Sequence, residues 1–160
     1  MPTLAAFADR DVLTRRVTRE TDTAGVDGVH ARADRGLRWA VGALVTDPAD
    51  RLLFVYEDNT WKLPGGGVET GETRQEAVCR EVREETGVRI AVDELAAVTE
   101  VTVTDGDREA TFFFGTYRGT TDTTTLASDP GLDGEPIETA AWRESVPENC
   151  LDETLVRRLQ

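Results

Sequence analysis

The stretch from Gly66 to Val88, GGVETGETRQEAVCREVREETGV, constrains this chain more than any other. It is a glycine-rich loop that feeds a helix crowded with carboxylates. Thr73 and Glu76 have the T-x-x-E spacing of a capping box, and Gly87 stands where a left-handed C-terminal cap is wanted, so the spacing predicts a helix over 74–86. Val78 and Val82, with Ala77 and Cys79 at the margins, give it an apolar flank to bury. Glu81, Glu84 and Glu85 fall on one arc roughly 100° wide beside that flank. Like charges three and four residues apart cost a few tenths of a kcal/mol per pair in an isolated helix. A divalent cation would reverse the sign of that term, whereas a merely solvated acidic helix would leave it standing. Upstream, Leu63-Pro64-Gly65-Gly66-Gly67 brings backbone close to whatever the carboxylates hold, because glycine has no Cβ in the way.

The spacing argues against the solvated-helix alternative. Gly66, Glu72, Arg80, Glu81, Glu84, Glu85 and Gly87 fit G-x5-E-x7-R-E-U-x-E-E-x-G-U, with Val82 and Val88 at the aliphatic U positions. At a frequency of roughly 10% per fixed residue, seven identities in register have a chance of about one in ten million per starting position. The segment resembles the box of the Nudix family, with no departure at a fixed position.

That resemblance implies an α/β fold, a Nudix α/β/α sandwich with a mixed β-sheet and a box loop-helix. It also implies hydrolysis of the diphosphate linkage in a nucleoside diphosphate joined to a second moiety, with Mg2+ or Mn2+ as cofactor. Oxygen-only ligands suit hard cations of that kind. By position, the resemblance makes Glu81, Glu84 and Glu85 catalytic metal ligands, with the Gly65 carbonyl a further ligand and Glu81 a candidate general base. Glu72 and Arg80 brace the loop against the helix as a charge-assisted pair. Glu138, in Ile137-Glu138-Thr139-Ala140-Ala141-Trp142, is the expected metal ligand from outside the box, with Glu135 next in line. Arg38, Gly66 and Gly67 are the substrate-binding candidates. The rival reading, from another class, is a Nudix-fold nucleotide-binding or regulatory module without turnover, in which loss of box glutamates would be expected.

Composition supports one soluble, cytoplasmic domain over residues 1–160. A chain of 160 residues with 39% hydrophobic side chains can build a core, and no apolar run reaches the length of a membrane span. Residues 1–16 mix Leu4, Phe7 and Leu13 with Asp9, Arg10 and Asp11, unlike a signal peptide. Cys79 and Cys150 are isolated and expected as reduced thiols. The 31 acidic against 18 basic residues leave a net charge of −13, an excess like that of salt-adapted halophilic proteins. Long nucleic acid is therefore a poor partner. The expected partner is a small nucleoside diphosphate derivative, with a homodimer as the alternative to a monomer.

Strands are expected at Leu37 to Thr46, Arg51 to Glu57, Arg89 to Thr104, Glu109 to Arg118 and Glu138 to Trp142, with a terminal helix from Asp152 to Leu159. The turns Asp47-Pro48-Ala49-Asp50 and Asp105-Gly106-Asp107 join the hairpins. Residues 1–36 form an N-terminal extension of uncertain structure, read as a helix around Leu4 to Arg15 followed by polar turns. His30 is read as a surface residue. Trp39, Trp61, Tyr56 and Phe114 are aromatic rings able to stack a base or to fill the core.

Overall fold

The computed structural model describes residues 3–8, 10–127, 137 and 139–160. Strands β1 (Leu13–Glu20), β2 (Trp39–Thr46), β3 (Leu52–Glu57), β4 (Thr60–Lys62), β5 (Gly65–Gly67), β6 (Ala91–Thr104), β7 (Glu109–Thr120) and β8 (Thr139–Arg143) form one sheet. Its main path runs β1-β6-β7-β2-β3-β4, with β5 paired to β2 and β8 paired to β3. The sheet is mixed: β1 lies parallel to β6 and β2 parallel to β7, while the other pairings are antiparallel.

Helices α1 (Thr23–Asp34), α2 (Arg74–Thr86) and α3 (Glu153–Leu159) complete three layers. Helix α2 buries Ala77, Val78 and Val82 against Val41, Ala43, Val45 and Leu53. On the other face α3 packs Leu155, Val156 and Leu159 over Leu44, Leu52 and Phe54. The alternation of β2 explains the division, since odd positions from Val41 face α2 and Leu44 faces α3. Helix α1 packs over β7 and β6 on the α3 side. The expected α/β sandwich with a mixed sheet and a loop-helix is thus what the chain adopts.

The box helix has the expected bounds. Thr73 Oγ1 accepts from Glu76 N and Glu76 Oε1 accepts from Thr73 N, both at 3.1 Å, and Gly87 closes the helix at φ 80°. The strands and the terminal helix expected downstream are also present.

The N-terminal expectation is corrected. Of the helix expected around Leu4 to Arg15 only Leu4–Phe7 is helical among the described residues, as a single 3-10 turn, and strand β1 and helix α1 stand where the rest of that helix and the polar turns were expected. The inward face of β1 is Leu13, Arg15, Val17 and Arg19, so its period of two is masked by two arginines. Their partners lie far along the chain. Arg15 Nε donates to Thr99 Oγ1 at 3.0 Å, and Arg15 and Arg19 both reach the Asp152 carboxylate, at 3.0 and 2.5 Å. Helix α1 hides behind two glycines, Gly25 and Gly28, and buries only Val26, but Asp22 caps it by accepting from Gly25 N at 2.8 Å.

No helix among the described residues is long and apolar enough to cross a membrane. Cys79 and Cys150 are free thiols, and His30 is exposed.

Candidate functional site

The glycine strand β5 lies between β2 and α2, and each of its residues faces something that a side chain would disturb. A Cβ on Gly65 would stand 2.1 Å from the Val41 carbonyl oxygen, one on Gly66 2.5 Å from the Glu81 carboxylate, and one on Gly67 2.6 Å from the Arg32 guanidinium. Alternation along β5 therefore points Gly66 at α2 and Gly67 at α1, on opposite faces of the sheet.

Helix α2 brings its carboxylates to that strand. Arg80 is the organiser: Nε donates to Glu72 Oε2 at 2.6 Å, Nη2 to Glu72 Oε1 at 2.9 Å and to the Gly67 carbonyl at 3.0 Å. Its Nη1 donates to Glu81 Oε1 at 2.8 Å and to Glu84 Oε2 at 3.2 Å. The bidentate pair with Glu72 fixes the loop to the helix, as the spacing predicts, and holds the Glu72 carboxyl below its ordinary range. The same charges push the Arg80 guanidinium pKa upward.

Glu85 sits deepest. Its side chain accepts from Gly65 N at 2.9 Å through Oε1, while Oε2 is buried with no hydrogen-bond partner. Burial raises its pKa to about 8; the Gly65 N–H opposes the shift and the Glu81 charge adds to it. Lys62 lowers the Glu85 pKa and is ion-paired to Glu57. Sequence reasoning gave no role to Lys62 or Glu57; the only signal was that Lys62 is the sole lysine.

The structure brings Gly65, Gly66, Gly67, Glu72, Arg80, Glu81, Glu84 and Glu85 into one cluster. Among the described residues no three acidic side chains already converge as a metal cage, because Arg80 draws Glu81 and Glu84 to itself. The donor set still fits a hard cation: it is all oxygen, and the orphaned Glu85 Oε2 is a buried acceptor in want of a positive partner. Glu138 and its alternate Glu135 lie outside the described residues.

Two cavities adjoin the loop and share Gly66. One, of about 230 Å3, is lined by Lys62, Gly65, Phe114 and Thr116, with Arg19 of β1 and residues of α3 across from them. The other, of about 270 Å3, lies under α1 and includes Arg38, Gly66, Gly67 and Phe112. The aromatic rings divide accordingly. Phe113 is buried, whereas Phe112 and Phe114 are half-buried at the cavities. Trp39 packs on Phe7 and Phe113, with Arg74 4.3 Å from its ring centroid, and Trp61 packs on Tyr56 at 5.0 Å.

Comparison with known proteins agrees with this geometry. The model of the NUDIX domain matches residues 36–158. A MutT-like protein of Streptomyces ambofaciens is 46% identical over 37% of this chain and 40% of its own length. An RNA pyrophosphohydrolase of Zymomonas mobilis is 29% identical over 72% of this chain and 83% of its own. The matches span between 35% and 40% of the length of the MutT-like protein and of two similar relatives. In structure, a NUDIX-family hydrolase of Clostridium perfringens superposes with a TM-score of 0.59, covering 76% of this chain and 93% of that one at 16% identity. With a domain model matched over most of its length, the fold in common and the box carboxylates gathered on their glycine strand, the chain belongs to the Nudix family.

Proposed function

We propose that the chain is a divalent-cation-dependent hydrolase that cleaves the diphosphate linkage of a nucleoside diphosphate joined to a second moiety. The observation that carries this reading is the buried, partnerless Glu85 Oε2 beside Glu81. A carboxylate is costly to keep at such a position without a positive partner. Glu81, Glu84 and Glu85 would hold Mg2+ or Mn2+, with the Gly65 carbonyl close by and Glu138 a candidate from outside the box. A bound cation supplies charge neutralisation for phosphate oxygens and lowers the pKa of a coordinated water.

The chain's own residues supply placement. Arg80 ties the loop to the helix through Glu72 and the Gly67 carbonyl, so the carboxylates and the glycine backbone keep a fixed separation. Gly66 lets that backbone pass directly over the Glu81 carboxylate. Lys62 lines one cavity beside the loop and Arg38 the other, so each arm that flanks a diphosphate has a cavity with a basic residue in its wall. Glu81, held by Arg80, is the candidate to take the proton of an attacking water.

The test is release of phosphate or nucleoside monophosphate from a panel of nucleoside diphosphate derivatives with Mg2+ or Mn2+. Turnover is expected to need the metal, and Glu84→Gln and Glu85→Gln are expected to lose more than the roughly 10–100-fold typical of changes one shell removed from a metal. Binding of nucleotides with no turnover on any substrate would replace the hydrolase by a nucleotide-binding module.

A further inference from the structure

The cavity under α1 is walled by a part of the chain that the NUDIX-domain match does not include. Val29 and Arg32 come from α1, Leu37 from the segment that follows it, and both Val29 and Arg32 precede residue 36, where the match begins. We propose that this cavity seats the nucleobase of the substrate and that α1 is the element that selects it. The proposal rests on the hydrolase reading above.

Position is the first argument. Gly66 lines this cavity and also passes over the Glu81 carboxylate, so a group seated here is one residue away from the cluster that would bind the diphosphate. No second strand covers the outer edge of β5 among the described residues; α2 side chains reach it instead, Glu85 at the Gly65 N–H and Arg80 at the Gly67 carbonyl, with Gly66 between them. A substrate can cross that edge with its base on the α1 side and its phosphates at α2.

Size and chemistry are the second. At about 270 Å3 the cavity lies just below the range of roughly 300–1,000 Å3 that encloses a drug-sized ligand, which suits one flat ring system and not a whole nucleotide. Val29, Leu37 and Phe112 give it an apolar wall, and Arg32 and Arg38 add two guanidinium groups. Arg32 is engaged: it donates to the Val68 carbonyl at 2.7 Å and lies 3.7 Å from the Glu69 carboxylate. Arg38 makes no ion pair among the described residues, although acidic residues outnumber basic ones 31 to 18. A planar guanidinium left over in such a chain matches the acceptor edge of a base, or its face. The other cavity offers less, because Arg19 is held by Asp152 and Lys62 by Glu57.

The loop itself is fitted to α1. Gly67 is a position that the box pattern leaves free, yet the Arg32 guanidinium fills the space its Cβ would take. The missing side chain of Gly67 thus answers to α1, while its carbonyl answers to Arg80 of the box. Substitutions on α1 should therefore change which substrate is preferred without touching the carboxylates.

The experiment compares Val29→Trp and Leu37→Trp, two half-buried wall positions, with the unaltered chain. Substrates are nucleoside triphosphates and ribose 5-triphosphate, which keeps the sugar and phosphates but has no base. KM for the nucleoside triphosphates is expected to rise at least tenfold in one or both variants, with kcat and all constants for ribose 5-triphosphate little changed. An unchanged KM in both variants, or an equal rise for ribose 5-triphosphate, would overturn the proposal. Calorimetric titration with nucleoside monophosphates and ribose 5-phosphate needs no turnover, so it decides the cavity even if the hydrolase reading fails. A tenfold loss confined to the base-bearing ligand supports the seat, and equal binding by variants and unaltered chain refutes it. Melting curves establish that each variant is folded, and the two substitutions sit on different segments, so loss of one leaves the other to decide.

Discussion

Glu85 and Arg80 carry opposite kinds of electrostatic work. Burial lifts the Glu85 carboxyl to about 8, so between its ordinary value near 4.5 and about 8 the folded chain keeps a proton that the unfolded chain has released. More protons on the folded side means that stability falls as pH rises through that window. Metal-free protein is thus expected to melt at steadily lower temperature from pH 5 to pH 8, Glu85→Gln to flatten that slope, and Mg2+ or Mn2+ to restore stability at the alkaline end. A melting temperature that rises from pH 5 to pH 8 in the unaltered chain would contradict the burial of this carboxyl. Arg80, by contrast, neutralises. Arg80→Ala frees Glu72, uncovers the Gly67 carbonyl and leaves Glu81 and Glu84 to repel each other. Loss of these charged hydrogen bonds should cost about 2 kcal/mol in urea titration and weaken metal binding at the same time. Unchanged melting and metal affinity with a fall in substrate affinity alone would instead make Arg80 a phosphate ligand.

Strand β5 is three glycines long, and the reason differs at each. Gly65→Ala drives a methyl onto backbone, the Val41 carbonyl, which cannot turn aside, and should destabilise by about 3 kcal/mol. Gly66→Ala meets the end of the Glu81 side chain, which can, so this variant should melt nearly as the parent does and lose activity with Glu81 displaced. Equal melting losses for the two would mean that the strand is set by the glycine backbone alone. Much of this was legible in the sequence, because the information is local: Thr73, Glu76 and Gly87 mark the helix ends, and the carboxylate spacing places Glu81, Glu84 and Glu85 together. What was illegible depends on distant partners. Nothing in the sequence marks Arg15 and Arg19 as inward-facing until Asp152 is seen beside them, and Arg32 has no meaning in the sequence apart from the space above Gly67. Strand β1 and helix α1 were missed for that reason, while the expected roles of Glu138 and Glu135 lie beyond the described residues.

A charge of −13 on 160 residues puts the whole molecule under self-repulsion, which salt relieves. At molar salt the screening length shrinks to about 3 Å. Melting temperature is therefore expected to climb from low to molar KCl, and Mg2+ to replace part of the salt effect at low ionic strength by binding the box carboxylates. A flat series would remove the halophilic interpretation and leave the site untouched. Strand β1 has a further consequence, for the making of the protein. Its parallel partner lies 84 residues later, as the Arg15 to Thr99 bond records. At about 5–20 residues per second, a ribosome exposes β1 for roughly 4–17 s before β6 is complete. Through that interval the strand waits as an unpaired edge, and its arginines, Arg15, Arg16 and Arg19, are the kind of charge that keeps such an edge from pairing with a neighbouring nascent chain. Two of these three side chains, Arg15 and Arg19, are also the ones that hide β1 from a reading of hydrophobic periodicity.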